Sequence, residues 1–192
     1  LDADFNSLGQ RDTYPGLGTF PTTLWQPGDT FCDTYPVPAT ADLVWPTAVS
    51  VDLGFYDMVT DEPLPVTVES GEPADRVVID QIKLIPAADP PQPEIQFKQT
   101  AQFAQGVQLV GYNLSAMEIQ SGEKVTLELV WQADGPLNQS YTVFAHLLDD
   151  TGNIITQADG LPRGGQYPTQ FWGADEVVLD PHTFSLPVDA LT

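Results

Sequence analysis

Three aromatic residues have the types and neighbours that suit sugar recognition. Trp25 and Trp172 each end a Pro-Thr-x-x-Trp segment, and Tyr167 directly precedes the second of these segments. An exposed indole or phenol ring stacks on the apolar face of a sugar, while nearby Asp and Asn side chains supply hydrogen bonds. These residues predict a carbohydrate-binding surface. The alternative is that both Trp side chains pack in the core or cap the edge of a sheet.

Oxygen-bearing side chains alternate along the chain at Asp149, Thr151 and Asn153, and a similar alternation recurs at 2–6. Calcium takes oxygen ligands at such alternating positions of a loop, so these residues are candidate ligands for Ca²⁺. The distal Glu that completes a calcium loop is missing at the expected place. A calcium site and a plain hairpin turn therefore stay open as alternatives, and no other cofactor is expected.

The sequence predicts no catalytic residue. The two histidines, His146 and His182, lie outside any nucleophile-elbow or His-x-x-x-His pattern. Carboxylate pairs such as Asp149 and Asp150 arise by chance among 27 acidic residues. An acidic hydrolase would require two close carboxylates in a cleft, one of them with a raised pKa, and the sequence gives no sign of that arrangement.

The charge of the chain limits its partners. Twenty-seven acidic residues against 6 basic ones give a formal net charge of −21, which repels phosphate backbones and anionic lipid headgroups. Nucleic acid is therefore excluded as a partner, and no apolar run is long enough for direct membrane insertion. The single Cys32 excludes an intrachain disulfide and a thiolate metal cluster.

Short apolar runs between turn residues predict an all-β fold. Eighteen Pro and 15 Gly residues interrupt helices and favour turns. Alternating apolar residues predict strands at 49–57, 63–68, 76–84, 107–114, 124–131, 141–148 and 154–157. A phase slip within 76–84 predicts a bulge, and 149–153 predicts a hairpin turn. The expected architecture is an antiparallel β-sandwich that resembles a jelly roll.

An internal repeat is visible in the sequence. Residues 1–33 align without gaps to 148–180, at an offset of 147 positions, with 11 identities in 33 positions. The shared pattern is Gly-x-[Phe/Tyr]-Pro-Thr-x-[Leu/Phe]-Trp and ends at Trp25 and Trp172. The chain is therefore predicted to hold two partial tandem copies of a repeat of about 147 residues.

The repeat predicts how the chain is divided. Residues 1–88 are the C-terminal part of the first copy, 89–94 are a Pro-rich linker, and 95–192 are the N-terminal part of the second copy. Residues 101–148 could complete one sandwich with 1–88 of the same chain, or residues 101–192 could take strands 49–86 from a neighbouring chain. A further alternative is that the sequence is a fragment of a longer tandem protein.

Several short motifs of the two copies resemble a known family. They lie at 53–57 in the first copy and at 111–114, 127–132, 141–149, 157–162 and 167–172 in the second. This set resembles the C-terminal, extracytoplasmic β-sandwich module of bacterial membrane glycosyltransferases similar to dolichyl-phosphate-mannose–protein mannosyltransferases, and related modules of surface proteins. The resemblance implies a β-sandwich on the cell surface or secreted. It implies no catalytic residue, because glycosyl transfer resides in the membrane part of those proteins.

These observations favour a non-catalytic extracellular structural or interaction module. Its expected partners are copies of itself or neighbouring repeats, joined head to tail by strand complementation into a filament or surface array. The alternative is a carbohydrate-binding accessory module of a membrane glycosyltransferase, with glycans as partners.

Overall fold

The computed structural model describes residues 1–4, 6–39, 42–68 and 71–188. Within these ranges the chain forms antiparallel strands joined by loops and single 3-10 turns, which confirms the all-β expectation. The end of the predicted second copy, 189–192, lies outside the described residues. The strands are β1 (Thr47–Leu53), β2 (Val66–Thr67), β3 (Pro73–Ala74), β4 (Val77–Leu84), β5 (Phe97–Gln102), β6 (Val107–Leu114), β7 (Lys124–Ala133), β8 (His146–Leu148), β9 (Ile154–Gln157) and β10 (Val177–Ser185).

The largest sheet has four strands in the order β10-β7-β6-β5, all antiparallel to their neighbours. Strand β7 is central because its apolar alternation lets one face pack inward along most of its length. Val125, Leu129 and Trp131 are buried on the predicted inner face, and Val130 on the opposite face is buried as well. Both faces of β7 are therefore buried near the C-terminal end of the strand.

A separate two-stranded sheet pairs β1 with β4. Its register passes from the pair Val51–Asp80 to the pair Asp52–Val78, so the extra residue, Ile79, lies on β4. This confirms the bulge that the phase slip within 76–84 predicts. The N-terminal half of β1 is buried, whereas β4 exposes Val78, Ile79 and Ile82 by 60%, 61% and 45%. Strand β4 therefore carries exposed apolar side chains in the described part of the chain.

Two predicted strands are shorter than expected. The range 63–68 forms only β2 and one bridge between Tyr56 and Pro63, because Pro63 and Pro65 have no N–H to donate to a ladder. The range 141–148 forms only β8 and one bridge between Val143 and Gly160. The predicted hairpin around 149–153 is present as the antiparallel pair β8–β9.

The core lies on one face of the four-stranded sheet. Tyr167 and Trp172 belong to the cluster around Leu129 and Trp131 of β7. Ala145, from the chain before β8, belongs to a second cluster with residues of β7 and β10. Burial of apolar area of this kind is the main source of folding free energy. The core members are Leu129, Trp131, Ala133, Leu137, Tyr167, Trp172 and Val178 in one cluster and Val125, Ala145, Phe184 and Leu186 in the other.

Hydrogen bonds, not strand pairing, connect the two predicted copies. The Ala48 N–H donates to the Gln166 carbonyl at 2.8 Å, and the Arg163 guanidinium donates to the Pro46 carbonyl at 2.6 Å. Lys83 forms an ion pair with Glu176 at 2.8 Å. Among the described residues no strand of 1–88 pairs with a strand of 95–188. The same residues contain no helix of the length and apolar character that crossing a bilayer requires.

Candidate functional site

Two of the three predicted aromatic residues, Tyr167 and Trp172, lie in a loop of two 3-10 turns that packs against β7. The turns are Pro162–Gly165 and Thr169–Phe171, and Trp172 follows the second turn. The Trp172 indole N–H donates to the Tyr167 carbonyl at 2.9 Å, while the Tyr167 hydroxyl contacts the Glu176 carboxylate at 2.9 Å. Burial beside that carboxylate raises the pKa of Tyr167 well above its usual range. The phenol therefore serves as a neutral donor.

The predicted first copy forms two turns of the same kind, displaced by 147 positions. They are Pro15–Gly18 and Thr22–Leu24, and the Trp25 indole N–H donates to the Phe20 carbonyl at 3.2 Å. The first turn contains two successive residues with positive φ in both copies, 66° and 52° at 16–17 and 55° and 64° at 163–164. This conformation is unfavourable for a side-chain-bearing residue, so its recurrence indicates a shared constraint.

An aspartate holds each of the first turns. The Gly16 N–H donates to Asp33 at 2.5 Å, and the Arg163 N–H donates to Asp180 at 2.7 Å. A carboxylate that accepts a backbone N–H satisfies a donor that the turn leaves without a backbone partner. The two segments therefore share their backbone geometry and the polar contact that stabilises it.

Asp180 also belongs to a buried network that the sequence analysis missed. Its carboxylate is completely buried and accepts hydrogen bonds from the Trp131 indole at 3.1 Å and the His182 ring at 2.9 Å. The other His182 ring nitrogen lies 2.6 Å from the Ala158 carbonyl. The hydrogen bond to Asp180 is the main cause of the raised pKa of His182. Tyr35 occupies the equivalent position in the first copy and donates its hydroxyl to Asp33.

This network resembles the His–Asp part of a catalytic triad in composition only. Each polar atom of Asp180 and His182 faces a protein partner, and the described contacts include no hydroxyl or thiol on the imidazole. A buried and fully hydrogen-bonded network rigidifies the core. The signal that could have found it is the pattern Asp-x-His after Trp172, which aligns with Asp-x-Tyr after Trp25.

The candidate calcium residues form a closed hairpin turn. Asp149 accepts hydrogen bonds from the backbone N–H groups of Thr151 at 2.8 Å and Asn153 at 2.9 Å, and from the Thr151 hydroxyl at 2.7 Å. The Asn153 amide donates to Asp149 at 3.1 Å and to Thr151 at 2.7 Å. These bonds, first of all that from the Thr151 hydroxyl, hold the pKa of Asp149 well below its usual range.

The three candidate ligands are thus brought together, but the oxygens of Asp149 and Thr151 accept hydrogen bonds from donors within the turn. This geometry is that of an Asx-type turn, which needs no metal ion. Asp2 and Asn6 form the corresponding turn in the first copy, with a 2.8 Å bond from the Asn6 N–H. In the described ranges no cluster of three His, Cys, Asp or Glu side chains is arranged to hold a metal.

The three candidate sugar-binding residues do not share a surface. Trp172 and Tyr167 expose only 2% and 1% of their area, so neither ring offers a face for stacking in this conformation. Trp25 is partly exposed and contacts Phe31 and Phe55 edge to face, with ring centroids 4.8 and 6.1 Å apart. Of the three, Trp25 alone lies at an accessible position.

Equivalent positions are buried in the second copy and exposed in the first. Val178 is 3% exposed and its counterpart Phe31 is 41% exposed; Phe184 is 5% exposed and its counterpart Val37 is 54% exposed. The cause of the difference in exposure is the sheet that packs against the second segment. Strands β5, β6 and β7 lie against the second segment, and the described residues place no such sheet against the first.

Comparisons of the chain with protein-family models, with curated proteins and with solved structures find no match. The similarity of its motifs to the glycosyltransferase-associated module therefore stays a prediction.

Proposed function

We propose that this chain is a non-catalytic structural or interaction module made of two partial tandem copies of a β-sandwich repeat. The module lies outside the cytoplasm, and its incomplete first copy is completed by another copy of the repeat. The resemblance of its motifs to an exported module supports an extracytoplasmic location, and the net charge of −21 is compatible with that location.

Shared geometry supports the repeat. The 3-10 turns, the indole-to-carbonyl bond, the aspartate that holds the first turn and the Asp–Asn hairpin turn all recur at an offset of 147 positions. Independent loops rarely agree in so many backbone and side-chain contacts. The agreement includes two successive residues of positive φ, which cost conformational energy wherever a side chain is present.

The difference in burial between Trp25 and Trp172 is the observation that carries the interaction role. Trp172 is covered by β7, whereas Trp25 and its neighbours Phe31 and Phe55 form a partly exposed cluster. Contiguous exposed aromatic and aliphatic side chains on a folded protein mark a binding surface. Strand β4 of the first copy exposes further apolar side chains.

Assembly follows from the equivalence of the segments. Residues 1–38 and 148–185 carry the same pattern, so the sheet that holds one segment accepts the other. If the sheet of one chain binds the first segment of a neighbour, the contact is head to tail. Such a contact does not close on itself and extends into a filament.

Sedimentation velocity over a wide protein concentration range tests this function. We expect mass above the 20.9 kDa monomer to increase with concentration, and Trp25→Ala to weaken the association. Phe144→Ala is the matched control because Phe144 is 74% exposed in the second copy, outside the candidate surface. A folded chain that stays monomeric at every concentration contradicts self-assembly.

A second candidate function is carbohydrate binding at Trp25, favoured by its partial exposure beside Phe31 and Phe55. A glycan array that compares the parent chain with Trp25→Ala tests it. Binding of one sugar class that is lost in the variant supports this function, and an array without bound glycans contradicts it.

A further inference from the structure

Residues 30–38 correspond to strand β10 at the offset of 147 positions, but they pair with no strand among the described residues. They lie outside any regular element. In the second copy the equivalent residues form nine consecutive pairs with β7. The first copy therefore holds a strand-length segment whose counterpart is an edge strand of a sheet.

The side chains of this segment alternate as those of β10 do. Positions 178, 180, 182 and 184 of β10 point into the core, with exposures of 3%, 0%, 6% and 5%. The residues at the corresponding positions are Phe31, Asp33, Tyr35 and Val37. Asp33 is retained, and Phe31 and Val37 are exposed by 41% and 54%. The segment thus presents a face with the polarity pattern of a buried strand.

The prolines of the segment fit the same register. The Leu186 N–H donates to the Glu123 carbonyl at 2.9 Å, so the N–H groups of even-numbered residues of β10 point towards β7. Pro181 is odd-numbered and lies in β10 because its missing N–H faces the free edge. Pro36 and Pro38 correspond to odd-numbered positions of β10 and leave every inward donor intact.

We propose that residues 30–38 are an edge strand that pairs with a strand of the Lys124–Ala133 type from another copy of the repeat. The pairing is antiparallel, and it places position 30 opposite the 132 position and position 38 opposite the 124 position, as in β10 and β7. The Trp25 cluster then covers the Leu129 and Trp131 face of that sheet, as Trp172 does within the second copy. This inference rests on the proposed function, because it identifies the partner of the same surface.

The test adds the missing sheet to the full chain. A second copy of residues 95–147 is fused directly before Leu1, which preserves the natural spacing because Leu1 corresponds to Leu148. Amide hydrogen exchange is followed by NMR in the parent chain and in the fusion. We expect exchange at Phe31, Tyr35 and Val37 to slow by about tenfold or more in the fusion, since a ladder bond opens only on local unfolding. The Cys32 amide faces the free edge and should stay fast.

Two proline variants of the fusion test the register. Thr34→Pro introduces the residue that the second copy has at the same position, Pro181, so the protection should persist. Tyr35→Pro removes an inward N–H one residue later, so the protection of Phe31 and Val37 should be lost. Equal effects of the two prolines would overturn the proposed register.

The outcomes separate this inference from the proposed function. If the added sheet is itself protected but the 30–38 amides stay as fast as in the parent chain, the strand pairing is wrong. Sedimentation of the parent chain then decides the interaction role independently. If the fusion protects 30–38 while the parent chain stays monomeric, the strand pairing stands and self-assembly is wrong.

Discussion

Asp33 and Asp180 lie 147 positions apart and make the same contact. Each carboxylate accepts the N–H of the second residue of a 3-10 turn, from Gly16 at 2.5 Å and from Arg163 at 2.7 Å. Their surroundings differ, since Asp180 is completely buried and Asp33 is partly exposed. Paired substitutions at such positions should therefore separate the energetic effect of the contact from that of its burial.

Asp180→Ala should strongly destabilise the protein. The substitution leaves the Trp131 indole, the His182 ring and the Arg163 N–H without their acceptor in a buried site. Removing one partner of such a network costs about 3–5 kcal/mol of unfolding free energy, measured by chemical denaturation. Asp33→Ala should have a distinctly smaller effect because water can replace the carboxylate. Equal losses in the two variants would contradict the difference in burial.

Stability should depend on pH through His182. Its hydrogen bond to Asp180 raises the pKa of His182 in the folded state above the ordinary 6.5. The stabilisation is then complete below about pH 6.5 and is lost as the pH rises through the raised folded value. We expect His182→Gln to remove this decline in unfolding free energy, and His146→Gln to retain it. A His182→Gln variant with the parent pH profile would contradict the assignment.

Trp172→Ala and Trp25→Ala should differ in cost. Trp172 is 2% exposed and packs in the core, so its truncation should cost about 3–5 kcal/mol of unfolding free energy. Trp25 is partly exposed in the single chain and should cost much less. Thermal and urea unfolding of both variants measures the difference. The order of the two costs reverses if Trp25, not Trp172, is the packed residue.

Calcium should not stabilise the hairpin turn at Asp149. The donors of Thr151 and Asn153 already occupy the Asp149 carboxylate. A melting temperature that is equal in calcium and in chelator is the expected result, with Asp149→Ala lowering it under both conditions. A calcium-dependent rise that Asp149→Ala abolishes would show that the loop reopens to bind the ion.

The fold could be predicted where apolar alternation is regular. The range 107–114 is β6 as predicted, and 124–131 differs from β7 only at its C-terminal end. Strand β10 was not predicted, because Pro181 and His182 interrupt its apolar pattern. Its inner face carries the buried side chains of Asp180 and His182. Polar side chains of this kind are compatible with a core only when tertiary hydrogen bonds satisfy them.

The candidate site was less predictable because its exposure depends on tertiary contacts. The pattern that ends at Trp25 and Trp172 identifies two equivalent segments, but it does not give their exposure. Exposure depends on a sheet distant in sequence, which lies against Trp172 and not against Trp25 in the described residues. The environment of these aromatic residues therefore could not be predicted from the sequence alone.

Hydrogen exchange of the two indole N–H groups compares the burial of Trp25 and Trp172 in solution. Both groups donate to the equivalent backbone carbonyl, at 3.2 Å in Trp25 and 2.9 Å in Trp172. In dilute solution we predict slow exchange at Trp172 and fast exchange at Trp25, with the Trp25 rate falling as protein concentration rises and the first copy is completed. Equal protection of both indoles at every concentration would contradict the account.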